Sequence, residues 1–96
     1  MSLQEILQKN RQSILQAAKR HGAMNVRLFG SVARGEEDEF SDIDFLVDME
    51  PGRSLFDLGA LLSDLESLLH HPVDVVTQKG IKKRLLDRIM NEAVPL

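Results

Sequence analysis

The apolar residues of this chain recur at helical spacing in three segments. Residues 3–21 place leucine, isoleucine and alanine three or four positions apart. Residues 55–69 carry a stripe of leucines with the same spacing. Ser54 precedes this stripe as an N-cap, and Asp57 stands where the acid of a capping box belongs. Residues 81–93 repeat the helical pattern, so the sequence predicts three amphipathic helices.

Three short segments between these helices have the pattern of β-strands. Residues 43–49 alternate between two faces, residues 25–29 do so over a shorter length, and residues 73–77 are mostly valine. Residues 30–35 begin and end with glycine, which is typical of a turn or a brief helical turn. The short linkers favour one sheet. We therefore expect an α/β (α+β) domain with a small mixed β-sheet flanked by helices, and the pattern leaves the strand order open.

Length and composition are those of one small globular domain. The chain has 96 residues, 43% hydrophobic and 28% charged, so we expect residues 1–96 to form a single domain. It contains no cysteine, which excludes disulfides and thiolate metal sites. No apolar stretch has the length of a signal peptide or a membrane span, so we expect a cytoplasmic protein without membrane contact.

Charge is unevenly distributed along the chain, although the net charge is only −3. Residues 36–50 contain eight acids and no base, whereas residues 1–35 contain six bases and one acid. A nucleic-acid-binding protein would not usually carry an acidic block at its centre, so we do not expect nucleic acid as a partner. A site for divalent cations suits such a block better.

Three aspartates are the candidates for that cation site. Asp42 and Asp44 are two residues apart on a predicted strand, so their carboxylates project from the same face. Such a pair on its own is also typical of a solvated strand face. Asp74 interrupts a valine-rich strand, where aspartate is disfavoured, so it either has a partner or faces water on the same side as Asp42 and Asp44. Three carboxylates on two strands form the arrangement of a two-metal phosphoryl-transfer site.

The glycine-bounded turn is the candidate for phosphate binding. A glycine at position 30, directly after a strand, lets the backbone approach a ligand closely. Ser31 can add a hydroxyl, and the backbone N–H groups that follow can bind phosphate. A Gly-Ser pair by itself is a common turn. Arg34 can contact a phosphate or form an ion pair with an acid of the loop at 36–39.

Together these residues form a recognisable motif. The chain has Gly-Ser-Val-Ala-Arg-Gly at residues 30–35 and Ser-Asp-Ile-Asp at residues 41–44. This order resembles the nucleotidyltransferase superfamily with the polymerase-beta-like fold. It is most similar to the minimal (MNT-type) nucleotidyltransferases, and every fixed position of their longer motif is present. The resemblance is strongest over residues 25–77.

The resemblance implies a role for each motif residue. Gly30 and Ser31 would hold the triphosphate of ATP. Asp42 and Asp44 would bind Mg²⁺, with two ions expected. Asp74 would complete the metal site and help to activate the attacking hydroxyl, whose oxygen displaces pyrophosphate from the α-phosphorus.

Minimal nucleotidyltransferases are similar to antitoxins that act with a small helical HEPN-type toxin. The resemblance implies that this chain moves AMP from ATP to a tyrosine of such a toxin, which supplies the acceptor. Two alternatives stay open at this point. In the first, the chain is an antitoxin that acts by complex formation alone. In the second, it is the catalytic subunit of an enzyme that modifies a small molecule.

Other polar residues are expected to have structural roles. His70 and His71 lie at a predicted helix end, where they cap carbonyl groups or face water. Asp48 shares the face of the paired aspartates but lies further along the strand, so we expect it at a solvated edge. The basic residues of the last predicted helix are expected to face solvent.

Overall fold

The computed structural model describes residues 2–38 and 40–96. Its helices are α1 (Leu3–Lys9), α2 (Arg11–Arg20), α3 (Gly30–Arg34), α4 (Leu55–Leu69) and α5 (Lys83–Glu92). Its strands are β1 (Ala23–Phe29), β2 (Ile43–Met49), β3 (Val73–Thr77) and β4 (Val94–Pro95), and a 3₁₀ turn covers Gln78–Gly80. The predicted α/β architecture with a small mixed sheet is confirmed.

The first predicted helix is two helices, and Asn10 separates them. The Asn10 side-chain amide donates to the Ile6 carbonyl over 2.8 Å, which takes up a carbonyl at the end of α1. The Asn10 carbonyl accepts from the backbone N–H of Ile14, and α2 starts there. Asparagine side chains compete with backbone partners in this way, which the apolar spacing of residues 3–21 does not reveal.

Helix α4 begins as its sequence predicts. The Ser54 hydroxyl accepts from the helix backbone, and the Asp57 carboxylate accepts from the Ser54 backbone N–H over 2.9 Å. That hydrogen bond is the main cause of a lowered pKa at Asp57. The capping box fixes where α4 starts, and therefore how its leucine stripe meets the sheet.

The sheet has the strand order β3-β2-β1-β4. β2 runs antiparallel to β1 and parallel to β3, and β4 adds an antiparallel edge beside β1. Sequence analysis missed β4, because two residues carry no periodicity and one of them is Pro95. Since β3 and β4 are the two edge strands, α5, which joins them, passes across the sheet.

The core lies between one face of the sheet and the helices α1, α2 and α4. Its fully buried members include Ile14 of α2, Phe45 of β2 and Leu61 of α4. Leu46 projects from the opposite face of β2 and is also fully buried, although it is not part of this core. The residues 2–38 and 40–96 include no helix long and apolar enough to cross a membrane.

Candidate functional site

Strand pairing brings the candidate residues to one end of the sheet. Asp44 of β2 is the register partner of Asp74 on β3 and of Phe29 on β1. Gly30 follows Phe29 directly, so the candidate turn begins beside the same aspartate. Directly paired residues share a face of the sheet, so the carboxylates of Asp44 and Asp74 project from the same side, as predicted.

Asp44 lies deeper than the other two aspartates. Its side chain is partly buried, whereas Asp42 and Asp74 are exposed. Burial is the main cause that raises the pKa of Asp44 to about 6, and repulsion from Asp74 and Asp42 raises it further, while Arg34 opposes the shift. The ionised form of Asp44 is therefore disfavoured by its own burial first and by the neighbouring acids second.

Gly30 lies directly against the Asp44 carboxylate. Its φ of +75° is a left-handed conformation that L side chains rarely adopt. A Cβ atom at this position would overlap Oδ2 of Asp44. Both the backbone conformation and the available space therefore require glycine at this position. Because glycine has no side chain, the turn can lie directly against the Asp44 carboxylate.

The predicted turn is a short helix with a well-defined end. Gly35 adopts φ +72°, and its backbone N–H closes the last turn of α3. Val32 of α3 is 1% exposed and belongs to the core. Ser31 is partly buried beside Gly30. The buried valine anchors α3 to the core, so Gly30 and Ser31 have fixed positions.

Arg34 forms the predicted ion pair with the acidic loop and a second one that was not predicted. Its Nε donates to Oε2 of Glu36 over 2.9 Å, and its Nη1 lies 3.2 Å from Oε2 of Glu92. The hydrogen bonds to Glu36 and Glu92 raise the pKa of the guanidinium. Arg34 is thus held at the end of α3 by acids from both sides.

Glu92 is a site residue that sequence analysis missed. Its Oε1 accepts the backbone N–H of Gly30 over 3.1 Å, in addition to the pair with Arg34. The two residues of this contact are 62 positions apart in the chain. Glu92 is one of only two acids in the basic segment 79–92. An isolated acid in a basic segment is only a weak sign of a functional role. The sequence does not show that the path of α5 brings Glu92 to the turn at Gly30.

The aspartates have the chemistry of a magnesium site. Three carboxylates supply the hard oxygen ligands that Mg²⁺ prefers, and the repulsion that acts on Asp44 is what a cation would relieve. Over residues 2–38 and 40–96, no three acidic or histidine side chains already form a metal cage. Mg²⁺ commonly takes only one or two carboxylates and completes its shell with substrate phosphates. An open set of aspartates fits that mode of binding.

His71 supports the segment that leads into the aspartates. Its Nε2 donates to the carbonyl of Ser41 over 2.6 Å, so it caps a loop carbonyl and not the end of α4. His70 ends α4 with φ +52° and is exposed. Asp48 is not simply solvated: it accepts hydrogen bonds from the side-chain amides of Asn25 and Gln78, at 2.9 and 3.2 Å.

A cavity of about 730 Å³ lies at the other ends of β2 and β3. It is lined by residues 48–55, 58 and 77–79, which include none of the candidate site residues. The aspartates instead lie at the start of these strands, with two of the three exposed. The candidate site is therefore an open surface on this chain, as is suitable for a large substrate presented by another molecule.

Asp44→Asn should stabilise the metal-free protein in a pH-dependent way. The folded-state pKa of about 6 lies above the ordinary value of 3.8, so the ionised carboxylate disfavours folding. This penalty is absent below pH 3.8 and complete above pH 6. We expect the thermal midpoint of the variant to exceed that of the wild type by about 5 °C near pH 8 and by almost nothing near pH 3. Thermal unfolding scans of both proteins with a chelator present would measure this difference. An equal shift of the midpoint at both pH values would contradict the prediction.

Comparison with known proteins gives one consistent result. The model of the nucleotidyltransferase domain family matches residues 11–96. A protein of Methanocaldococcus jannaschii, named provisionally as a protein adenylyltransferase, is 45% identical over 94 residues, covering 98% of this chain and 97% of the relative. The protein adenylyltransferase MntA of Thermococcus cleftensis is 37% identical, covering 98% of this chain and 95% of the relative.

Solved structures agree on the fold. One described provisionally as a minimal nucleotidyltransferase has a TM-score of 0.90 and 48% identity, over 100% of this chain and 97% of that one. A toxin–antitoxin structure with AMP-PNP has a TM-score of 0.77 at 23% identity, over 90% of this chain and 71% of that one. The predicted polymerase-beta-like architecture is thereby confirmed.

Proposed function

The chain belongs to the nucleotidyltransferase domain family, and on that premise we propose that it transfers AMP from ATP to a hydroxyl group of a partner protein. The observation that carries this proposal is the contact between Gly30 and Asp44, with Asp74 paired to Asp44 across the sheet. It places a close-approach turn next to a group of carboxylates. Phosphoryl transfer needs these two elements side by side, because it depends on positioning and on charge neutralisation.

The three aspartates would hold the magnesium ions of the reaction, with two ions expected. When bound, Mg²⁺ neutralises the charge of the triphosphate and of the reacting α-phosphate. Asp44 and Asp42 approach from β2 and its preceding loop, and Asp74 approaches from β3. The raised pKa of Asp44 supports this assignment, because a carboxylate that repels its neighbours gains most from a nearby cation.

The turn would orient the triphosphate. The backbone N–H groups at Gly30 and Ser31 can donate to phosphate oxygens, and the Ser31 hydroxyl adds a further donor. Arg34 brings a positive charge to the same short helix, where it offsets phosphate charge. Because Val32 is buried in the core, the backbone that carries these donors is held in place.

In the reaction, the acceptor hydroxyl oxygen attacks the α-phosphorus. A new phosphorus–oxygen bond forms to the acceptor, the bond to the β-phosphate oxygen breaks, and pyrophosphate leaves. We assign acceptance of the hydroxyl proton to Asp74, which stands on the neighbouring strand β3 and whose exposed carboxylate a second protein can reach. The products are the AMP-modified acceptor and pyrophosphate.

The proposed acceptor is a tyrosine of a helical HEPN-type toxin, which makes this chain the antitoxin. None of the 96 residues is a tyrosine, so these residues contain no tyrosyl acceptor of their own. The aspartates lie on an open surface, where a second protein can reach them. Relatives named protein adenylyltransferases, and a toxin–antitoxin structure of the same fold with AMP-PNP, support this choice.

Binding of ATP with Mg²⁺ should raise the thermal midpoint of the chain. A ligand at about a hundred times its dissociation constant adds about 2.7 kcal/mol to the free energy of unfolding. In a domain of this size that corresponds to a rise of about 10 °C or more. Differential scanning fluorimetry would measure it, and the variant Asp42→Asn/Asp44→Asn should lose the Mg²⁺-dependent part. A rise that the variant keeps would place the nucleotide elsewhere.

A further inference from the structure

We propose that Glu92 is a built-in competitor of the triphosphate, which occupies the nucleotide-binding turn until ATP displaces it. This inference rests on the proposed function, because it assumes that Gly30 and Arg34 bind phosphate. It adds a regulatory contact, made by the last residue of α5, to the candidate site. None of the motif residues supplies this contact.

The contacts of Glu92 are those expected of a bound anion. Oε1 accepts the Gly30 backbone N–H over 3.1 Å, and both carboxylate oxygens lie within 3.3 Å of Arg34 Nη1. A carboxylate and a phosphate present the same kind of acceptor oxygens to such donors. While Glu92 is in place, two of the proposed triphosphate ligands are already in use.

The electrostatics of the site make this contact displaceable. Glu92 is among the charges that raise the pKa of Asp44, so it adds to the repulsion among the acids of the site. Its side chain is 22% exposed, so a path to solvent is open. The chain beyond α5 is held by pairing of β4 with β1, so the carboxylate can swing out while the backbone stays in place.

Arg34 would not be left without a partner during the exchange. Its Nε stays hydrogen-bonded to Glu36, whereas the Gly30 N–H donates to Glu92. The exchange therefore replaces one anion by another at Gly30 and Arg34. Only molecules in which Glu92 has left the turn can bind ATP there. The apparent dissociation constant for ATP is therefore the intrinsic constant divided by the fraction of molecules with a free turn.

Removing the Glu92 charge should therefore tighten ATP binding. We expect Glu92→Gln to lower the dissociation constant of Mg²⁺-ATP by about tenfold, which corresponds to a turn that is free in about one molecule in ten of the wild type. Glu92→Ala, which removes both acceptor oxygens, should tighten binding at least as much. Isothermal titration of the full chain with Mg²⁺-ATP at fixed ionic strength would measure these constants.

Two control variants separate displacement from a general charge effect. Asp87→Asn removes an exposed acid from the same helix, and Glu36→Gln removes the other partner of Arg34 without freeing Gly30. We expect both to bind ATP within about twofold of the wild type. Equal tightening in Asp87→Asn would overturn the proposal, because net charge would then explain the result.

The remaining outcomes distinguish this inference from the proposed function. If the wild type binds ATP and both Glu92 variants bind it equally or more weakly, Glu92 supports the turn, and the competitor role is wrong while the proposed function stands. If neither the wild type nor any of the variants binds ATP, both proposals fail together. Tighter binding in the Glu92 variants alone confirms the displacement.

Discussion

Replacing Asp42 and Asp44 together by asparagine should lower AMP transfer by on the order of a thousandfold or more, while the fold persists. Asparagine keeps the size of each side chain but removes the negative charges that would hold Mg²⁺. It also removes the repulsion at partly buried Asp44, so the folded variant should be no less stable than the wild type near neutral pH. Transfer of label from the α-phosphate of ATP to the partner protein measures the loss.

Asp48→Asn is the matched control for this double variant. Asp48 lies on the same strand and alternates to the same face, but it is hydrogen-bonded to Asn25 and Gln78 at the other end of β2. We expect this variant to retain AMP transfer within a few-fold of the wild type. Comparable losses in Asp48→Asn and in the double variant would mean that the strand as a whole, and not the metal site, had been disturbed.

Gly30→Ala should lower AMP transfer by on the order of a hundredfold. The new Cβ atom would overlap Oδ2 of Asp44, so either the turn or the carboxylate has to move. A displacement of about 1 Å at a reacting centre is enough for a loss of this size. Steady-state kinetics with the partner protein would measure the loss. The thermal midpoint of the Gly30→Ala variant should fall as well, because φ +75° is unfavourable for alanine.

Gly35→Ala offers a closely matched comparison within the same motif. Its φ of +72° imposes a similar backbone strain, about 1 kcal/mol, but the nearest atom to its new Cβ is the Gln4 side-chain nitrogen at 3.9 Å. Stability should therefore fall in both variants, whereas AMP transfer should fall sharply only in Gly30→Ala. Equal losses of activity would show that strain in α3, and not the contact with Asp44, limits the reaction.

The sequence predicts the parts of the site that depend on local pattern. Alternation over residues 42–49 predicts Asp42 and Asp44 on one face, although Asp42 lies just before the observed start of β2. The Gly-Ser turn after β1 marks the close approach. Their separate signals are weak, and it is the spacing of the complete motif that indicates nucleotidyl transfer. Strand pairing then brings Gly30 and Asp74 to Asp44, which supports the sequence-based grouping.

The sequence does not predict the parts that depend on distant segments. Glu92 reaches Gly30 only because α5 passes across the sheet and β4 fixes its far end. Leu46 occupies a position with polar neighbours in the alternation, yet it is fully buried on the face that the core helices leave free. The Glu92 contact has no local signature because its two residues are 62 positions apart. The burial of Leu46 depends on tertiary packing, which the alternation along one strand does not show.

The measurement that tests the central proposal most directly is the intact mass of the cognate partner after incubation with this chain, ATP and Mg²⁺. We predict a mass increase equal to one or more AMP groups, located on a tyrosine, and no increase with the Asp42→Asn/Asp44→Asn variant. A partner that forms the complex and loses its activity while its mass stays unchanged would contradict the proposal. In that case the chain would act as an antitoxin by binding alone.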